Sequence, residues 1–228
     1  MFSSSPSVVK FSPNIPMDKD RSAGCDDPNT ETQATHPASV NALAATPFNV
    51  AVGGTMFNEN GHDSTYWSST NEPNSLASAL SYIPGDVWNE SCSSCSKLGI
   101  WAGGGGASIL FAKPSWQSGV PGIPGDTARH LPDVSLTAAS HDPYLLCLRR
   151  SCIPNAQNQI SFVGVSGTSA AAPAFAGILS LVGQKTGVRL GQPNYVLYRL
   201  AAAETFFQAT LPTPARCRQV HASLTTSR

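Results

Sequence analysis

Ser169 stands in the string Gly164-Val165-Ser166-Gly167-Thr168-Ser169-Ala170-Ala171-Ala172-Pro173. Small residues let the backbone turn sharply here, and Phe175, Ile178, Leu179, Leu181 and Val182 then recur at helical spacing. A serine at the mouth of that helix is a candidate nucleophile. The unpaired N–H groups and dipole of a helix start favour the oxyanion formed when a hydroxyl attacks a carbonyl. Pro173 is expected in the first helical turn, where its missing N–H costs nothing. A hydroxyl also needs a base to take its proton. The histidines are His36, His62, His130, His141 and His221, and none lies in a His-Gly-Thr string. His130, near Asp133, is the least remote candidate and is read as a polar residue at a strand start.

The elements that must position Ser169 are legible in outline. Ile160–Val165 is expected as a core strand feeding the turn, followed by a helix over 170–186 stopped by Gly187. Phe48–Val52 is expected as a strand ending at Gly53-Gly54, and its near-continuous apolar run suits a sheet covered on both faces. Pro132–Ala138 is a further core strand, Ser39–Ala45 a short helix capped by Ser39, and Pro193–Ala203 a last helix. Strands alternating with helices imply an α/β fold with a mostly parallel sheet, whose active centre lies at the C-terminal strand ends. Residues 57–90 read as a polar, aromatic surface excursion with a substrate-facing loop, and 1–21 as loop or disorder.

The 228 residues suit one domain with a sizeable core. Lys plus Arg equals Asp plus Glu at 14 each, which gives no reason to expect nucleic acid or an anionic membrane as partner. No apolar run reaches the length of about 18 residues that a membrane span needs. Met1–Lys10 lacks the basic and apolar regions of a signal peptide. The six cysteines at 25, 92, 95, 147, 152 and 217 leave three readings open: a four-thiolate zinc site on 92, 95, 147 and 152, local disulfides, or buried free thiols. The glycines at 103–106 lack the preceding strand and Lys or Gly-x-Gly-x-x-Gly spacing of a phosphate cradle.

Ser166-Gly-Thr-Ser-Ala-Ala-Ala-Pro173 resembles the nucleophile motif of the subtilisin-like serine peptidases and, within them, of the sedolisins or serine-carboxyl peptidases of kumamolisin type. Ser22–Asp27, Thr46–Thr55, Tyr66–Ser68, Gly103–Ser108, Pro114–Gln117 and Arg129–Ser135 resemble further landmarks of that family in the expected order, over roughly 22–205. The resemblance implies a subtilisin-like three-layer α/β fold lacking its N-terminal part. It also implies an extracellular setting, a peptide or protein substrate, a monomer, and acyl-enzyme chemistry on Ser169 in acid. A carboxyl base works where a histidine is already protonated. Glycines 103–106 become a wall that a peptide backbone approaches closely. The extracellular setting favours local disulfides.

The resemblance also implies what is missing. The family's base is a glutamate, oriented by an aspartate one helical turn away, on a helix well before the Ser22 landmark. Residues 1–21 contain no glutamate. The oxyanion aspartate falls at the position of Lys19, and neither Asp18 nor Asp20 takes its role. Glu31, Glu59, Glu72 and Glu90 lie in segments matching non-catalytic parts of the family and are read as solvated surface. The family binds calcium through a later segment. Residues 207–228 hold no carboxylate, so no cofactor or metal is expected in this chain. The tail 206–228 is unmatched and is read as frame-shifted, since codons for Ala222–Arg228 can be chosen that read Phe-Ala-Tyr-Asp-Val-Thr in another frame. The expectation is a sedolisin-type serine endopeptidase with impaired activity. The alternative is a catalytically dead remnant or peptide-binding pseudo-enzyme.

Overall fold

The computed structural model describes residues 8–11, 40–75, 77–90 and 102–203. At its centre is β2 (Asn49–Phe57), whose first six residues are all buried. Alternation along the strand sends Val50 and Val52 to one face, where they meet Ala171, Ala172 and Phe175. Ala51 faces the other way, against Val40, Ala44, Ala45 and Leu131. Both faces are therefore covered, as the apolar run required.

The strand does not stop at Gly53-Gly54. It runs through them because the glycines permit close approach rather than a turn. A Cβ on Gly53 would lie 2.6 Å from Pro132 Cγ, and one on Gly54 would lie 2.9 Å from the Trp88 ring. Residues 8–11, expected as loop, form β1 (Val8–Phe11), parallel to the start of β2. On the opposite edge β6 (Val134–Thr137) is also parallel to β2, and Val52 pairs with both Phe11 and Val134. The short β3 (Gly85–Val87) runs antiparallel to the end of β2. The sheet is thus α/β in character and partly parallel.

Further on, β4 (Gly106–Ala112) and β5 (Ala128–Leu131) make an antiparallel pair. Ser115–Gln117 forms one 3-10 turn, and Asp63–Tyr66 one turn of helix, α1. The segment before Ser169 departs from expectation. Only Val163–Val165 is a strand, β8, and it pairs antiparallel with β7 (Tyr144–Leu146) as a separate two-stranded arm. Leu145, Phe162 and Val163 are exposed, so this hydrophobic run does not enter the core. Residues 42–45 form a turn, not a helix: Asn41 Oδ1 accepts from the Ala44 N–H at 3.0 Å. Ser39 lies outside the described residues.

The two long helices follow expectation. Helix α2 (Thr168–Thr186) ends on Gly187 at φ 68°, whose N–H returns to the Gly183 carbonyl at 2.9 Å. Helix α3 (Asn194–Ala203) closes the described chain. A buried ion pair ties these parts together. Arg129 Nη1 and Nη2 donate to the two Asp133 oxygens at 2.7 and 2.6 Å, and both side chains are fully buried. Asp133 also accepts from the Ala51 N–H at 2.7 Å and the Tyr198 hydroxyl at 2.8 Å, linking β2, β5 and α3. Arg129 stacks on Trp116 at 4.7 Å. Burial first, then the Asp133 carboxylate, raises the Tyr198 pKa and keeps its hydroxyl a donor.

Candidate active site

The Ser169 turn is built by Gly167. Its φ of 82° and ψ of 167° suit glycine alone, and it caps α2 without a side-chain bond. The Gly167 N–H donates to the Ala138 carbonyl at 2.6 Å. Ala138 directly follows β6, so the head of α2 is pinned at the C-terminal end of a parallel strand, where the α/β topology places an active centre. Thr168, the first helical residue, is fully buried, whereas Ser169, the second, is exposed. The Ala170 and Ala171 N–H groups turn back to the Gly167 carbonyl at 2.9 and 3.3 Å. That leaves the Ser169 N–H, beside its own hydroxyl, as a donor at the helix mouth.

Pro173 lies in the interior of α2, five residues from its start, and not in the first turn. A proline there has no N–H to offer the carbonyl four residues back, which belongs to Ser169. Packing of Ala171, Ala172 and Phe175 on β2 holds the helix through this break.

Among the described residues no acid or imidazole hydrogen-bonds the Ser169 hydroxyl. Residues 143–203 contain no Asp, Glu or His at all, so this stretch offers Ser169 neither a carboxylate nor an imidazole as base. His130 is not directed at Asp133, which is occupied by Arg129. Its Nε2 instead meets the exposed Asp126 at 2.8 Å, and that contact holds the Asp126 pKa down at about 2. Glu59 accepts from Trp67 Nε1 at 3.1 Å, and Glu72 accepts from the N–H groups of Asn74 and Ser75 in its own turn. Glu31, His36 and His221 lie outside the described residues.

Glu90 is not the solvated surface residue expected. It accepts from Trp88 Nε1 at 2.9 Å, from the Ser140 N–H at 2.8 Å and hydroxyl at 2.9 Å, and from His141 Nδ1 at 3.0 Å. Burial pushes its pKa up, but the bonds from His141, Trp88 and Ser140 outweigh that and bring it to about 2. For His141 burial acts downward, and Glu90, the Phe57 carbonyl and Asp142 outweigh it to raise the pKa. Sequence reasoning missed this cluster because Glu90 and His141 are 51 residues apart.

Gly103 and Gly105 approach protein backbone: a Cβ on Gly103 would lie 3.8 Å from Gly54 N, and one on Gly105 3.1 Å from the Leu131 carbonyl. The Gly103 N–H also donates to the Trp88 carbonyl at 3.0 Å. Cys147 and Cys152 form a disulfide, which excludes their use as zinc thiolates. Cys25, Cys92, Cys95 and Cys217 lie outside the described residues. Among the described residues no cluster of three or more His, Cys, Asp or Glu is placed to hold a metal ion. No described helix is long and apolar enough to cross a membrane.

No family model matches the chain. Individual proteins do. Sedolisin of Pseudomonas sp. (strain 101) is 34% identical over 182 residues, which is 80% of this chain and 24% of that protein. Xanthomonalisin of Xanthomonas sp. (strain T-22) is 30% identical over 73% of this chain and 17% of its own length. Kumamolisin of Bacillus sp. (strain MN-32) is 30% identical over 69% and 23%. Over the matched residues, the chain is a sedolisin homologue. It spans about a quarter or less of the length of these relatives. A solved structure of Pseudomonas sedolisin, complexed with two molecules of pseudo-iodotyrostatin, is 30% identical with a TM-score of 0.49, over 76% of this chain and 38% of that one.

Proposed function

We propose that the chain carries the nucleophile of a sedolisin-type endopeptidase on Ser169, and that these 228 residues by themselves are impaired in the reaction. The observation that carries this reading is the exposed Ser169 hydroxyl, second in α2 and held at the C-terminal end of β6 by the Gly167–Ala138 bond. In the reaction the hydroxyl oxygen bonds to the scissile carbonyl carbon as its proton passes to a base. The resulting oxyanion accepts a hydrogen bond from the Ser169 N–H at the helix mouth. Collapse expels the amine, which takes up a proton, and leaves an acyl-serine for water to hydrolyse.

The weak member is the base. The carboxyl pair that the family places upstream has no glutamate to supply it in residues 1–21, and residues 143–203 hold no acid. A serine without its base retains only the residual catalysis of binding and the oxyanion environment, roughly 10³–10⁴-fold over water in serine peptidases stripped of their triad. A second reading, a peptide-binding protein without turnover, rests on the same absence. The Cys147–Cys152 disulfide supports an oxidising, extracellular setting.

The test is hydrolysis of a mixed fluorogenic peptide library between pH 3 and 5 by the chain and by Ser169→Ala. Slow cleavage that disappears in Ser169→Ala is expected. Equal cleavage by both would remove Ser169 from the chemistry, and rapid turnover would overturn the impairment. Peptide binding without cleavage by either protein selects the second reading.

A further inference from the structure

The Glu90 cluster lies one short connection from the Ser169 turn. Glu90 grips both Ser140 and His141, and the same loop begins with Ala138, whose carbonyl takes the Gly167 N–H. His141 is held from two sides: Nδ1 faces Glu90 Oε1 at 3.0 Å, and Nε2 faces the Phe57 carbonyl at 3.2 Å. Both partners are acceptors at neutral and mildly acidic pH. A neutral imidazole has one N–H and would turn a lone pair toward one of them, whereas the imidazolium donates to both. We propose that Glu90 and His141 are positioning residues for Ser169: as an ion pair they clasp the 138–142 loop, which holds the head of α2. This rests on the reading of Ser169 as nucleophile, and it adds a source of acid dependence separate from any catalytic base.

The other titratable groups near the clasp are accounted for. Asp142, next in the loop, accepts from the Thr137 hydroxyl at 2.6 Å and the Phe57 N–H at 2.9 Å, adding negative charge beside the imidazolium. Tyr144 on β7 has its pKa raised by burial and by Asp142, so it stays neutral. Asp86 on β3 is engaged by Asn58 Nδ2 at 2.8 Å. The His141 ring is partly exposed, so its proton exchanges with solvent. With burial outweighed by Glu90, Phe57 and Asp142, the raised His141 pKa keeps the clasp closed in acid and opens it as pH climbs through that value.

The experiment is amide hydrogen exchange on the whole chain from pH 5 to 9. Protection factors are corrected for intrinsic rates, and Gly167 is compared with Phe175 in the body of α2. Expected is a fall of about tenfold in Gly167 protection relative to Phe175 as His141 deprotonates, the scale of one charge-assisted hydrogen bond. His141→Ala and Glu90→Gln should start low and show no step. A flat ratio in the unmodified chain overturns the proposal without any variant having to fold, as does a step that survives in His141→Ala. Neither readout depends on turnover, so failure here is distinguishable from failure of Ser169 as nucleophile.

Discussion

Asp133 is the residue on which most buried polar contacts converge, with Arg129, Tyr198, Asn194 and the Ala51 N–H all bonded to its carboxylate. Removing one partner of a buried ion pair strands the other, so Asp133→Ala should cost about 3–5 kcal/mol, read as a lower urea midpoint. Gly54→Ala drives a methyl into Trp88 and Ala138 and should cost about 1–3 kcal/mol by the same assay. Glu90→Gln gives a pH-dependent loss whose sign follows from both partners. The Glu90 contribution is fully present above its ordinary 4.5 and is lost as pH falls through about 2. The His141 contribution is fully present below its ordinary 6.5 and is lost as pH rises through its raised value. Stability curves of the variant and the unmodified chain should therefore separate most between about pH 4.5 and 6.5 and converge as pH falls toward about 2. The gap should narrow as pH rises through the raised His141 value, where the Trp88 and Ser140 bonds to Glu90 remain. Ser169 was legible as a residue because its neighbours are small and its helix begins beside it. The roles of Glu90 and Asp133 were not, since side chains distant in sequence complete them and no local pattern records such partners.

Elements were legible where local rules decide them. Gly187 ends α2 in the left-handed conformation, and continuous apolar character marked β2 as buried on both faces. Local rules misled where tertiary packing decides. Gly53-Gly54 resembles a strand end, yet both residues pair with β6 and admit Trp88 and Pro132 against the strand. Ile160–Val165 reads as core, but its strand β8 stands apart with β7, and Cys147–Cys152 closes a short loop beside β7. Closing so short a loop is worth about 2 kcal/mol by chain entropy. Among the described residues the arm's strands pair only with each other, so that effect should stay local. Replacing both cysteines by serine should speed amide exchange across 144–165 and shift the main unfolding midpoint by less than about 1 kcal/mol. An equal loss in both would show that the arm unfolds with the core.

At the scale of the molecule, apolar surface is unevenly covered. The first half of α2 is docked on β2, whereas Ile178, Leu181 and Val182 in its second half are exposed, as are Val188 and, on α3, Tyr195, Val196 and Leu200. Exposed apolar side chains of this kind drive association in water. The chain by itself should scatter light increasingly with concentration, and Leu181→Glu should reduce that scattering without lowering the melting midpoint. Unchanged scattering would locate the association elsewhere. Nineteen residues make α2 a shaft about 28 Å long at 1.5 Å per residue. Pro173 removes the rung that would tie the Ser169 carbonyl to the turn after it. The shaft therefore lacks one rung just behind its tip, and docking of Ala171, Ala172 and Phe175 on β2, rather than a backbone bond, keeps the serine in line with the rest.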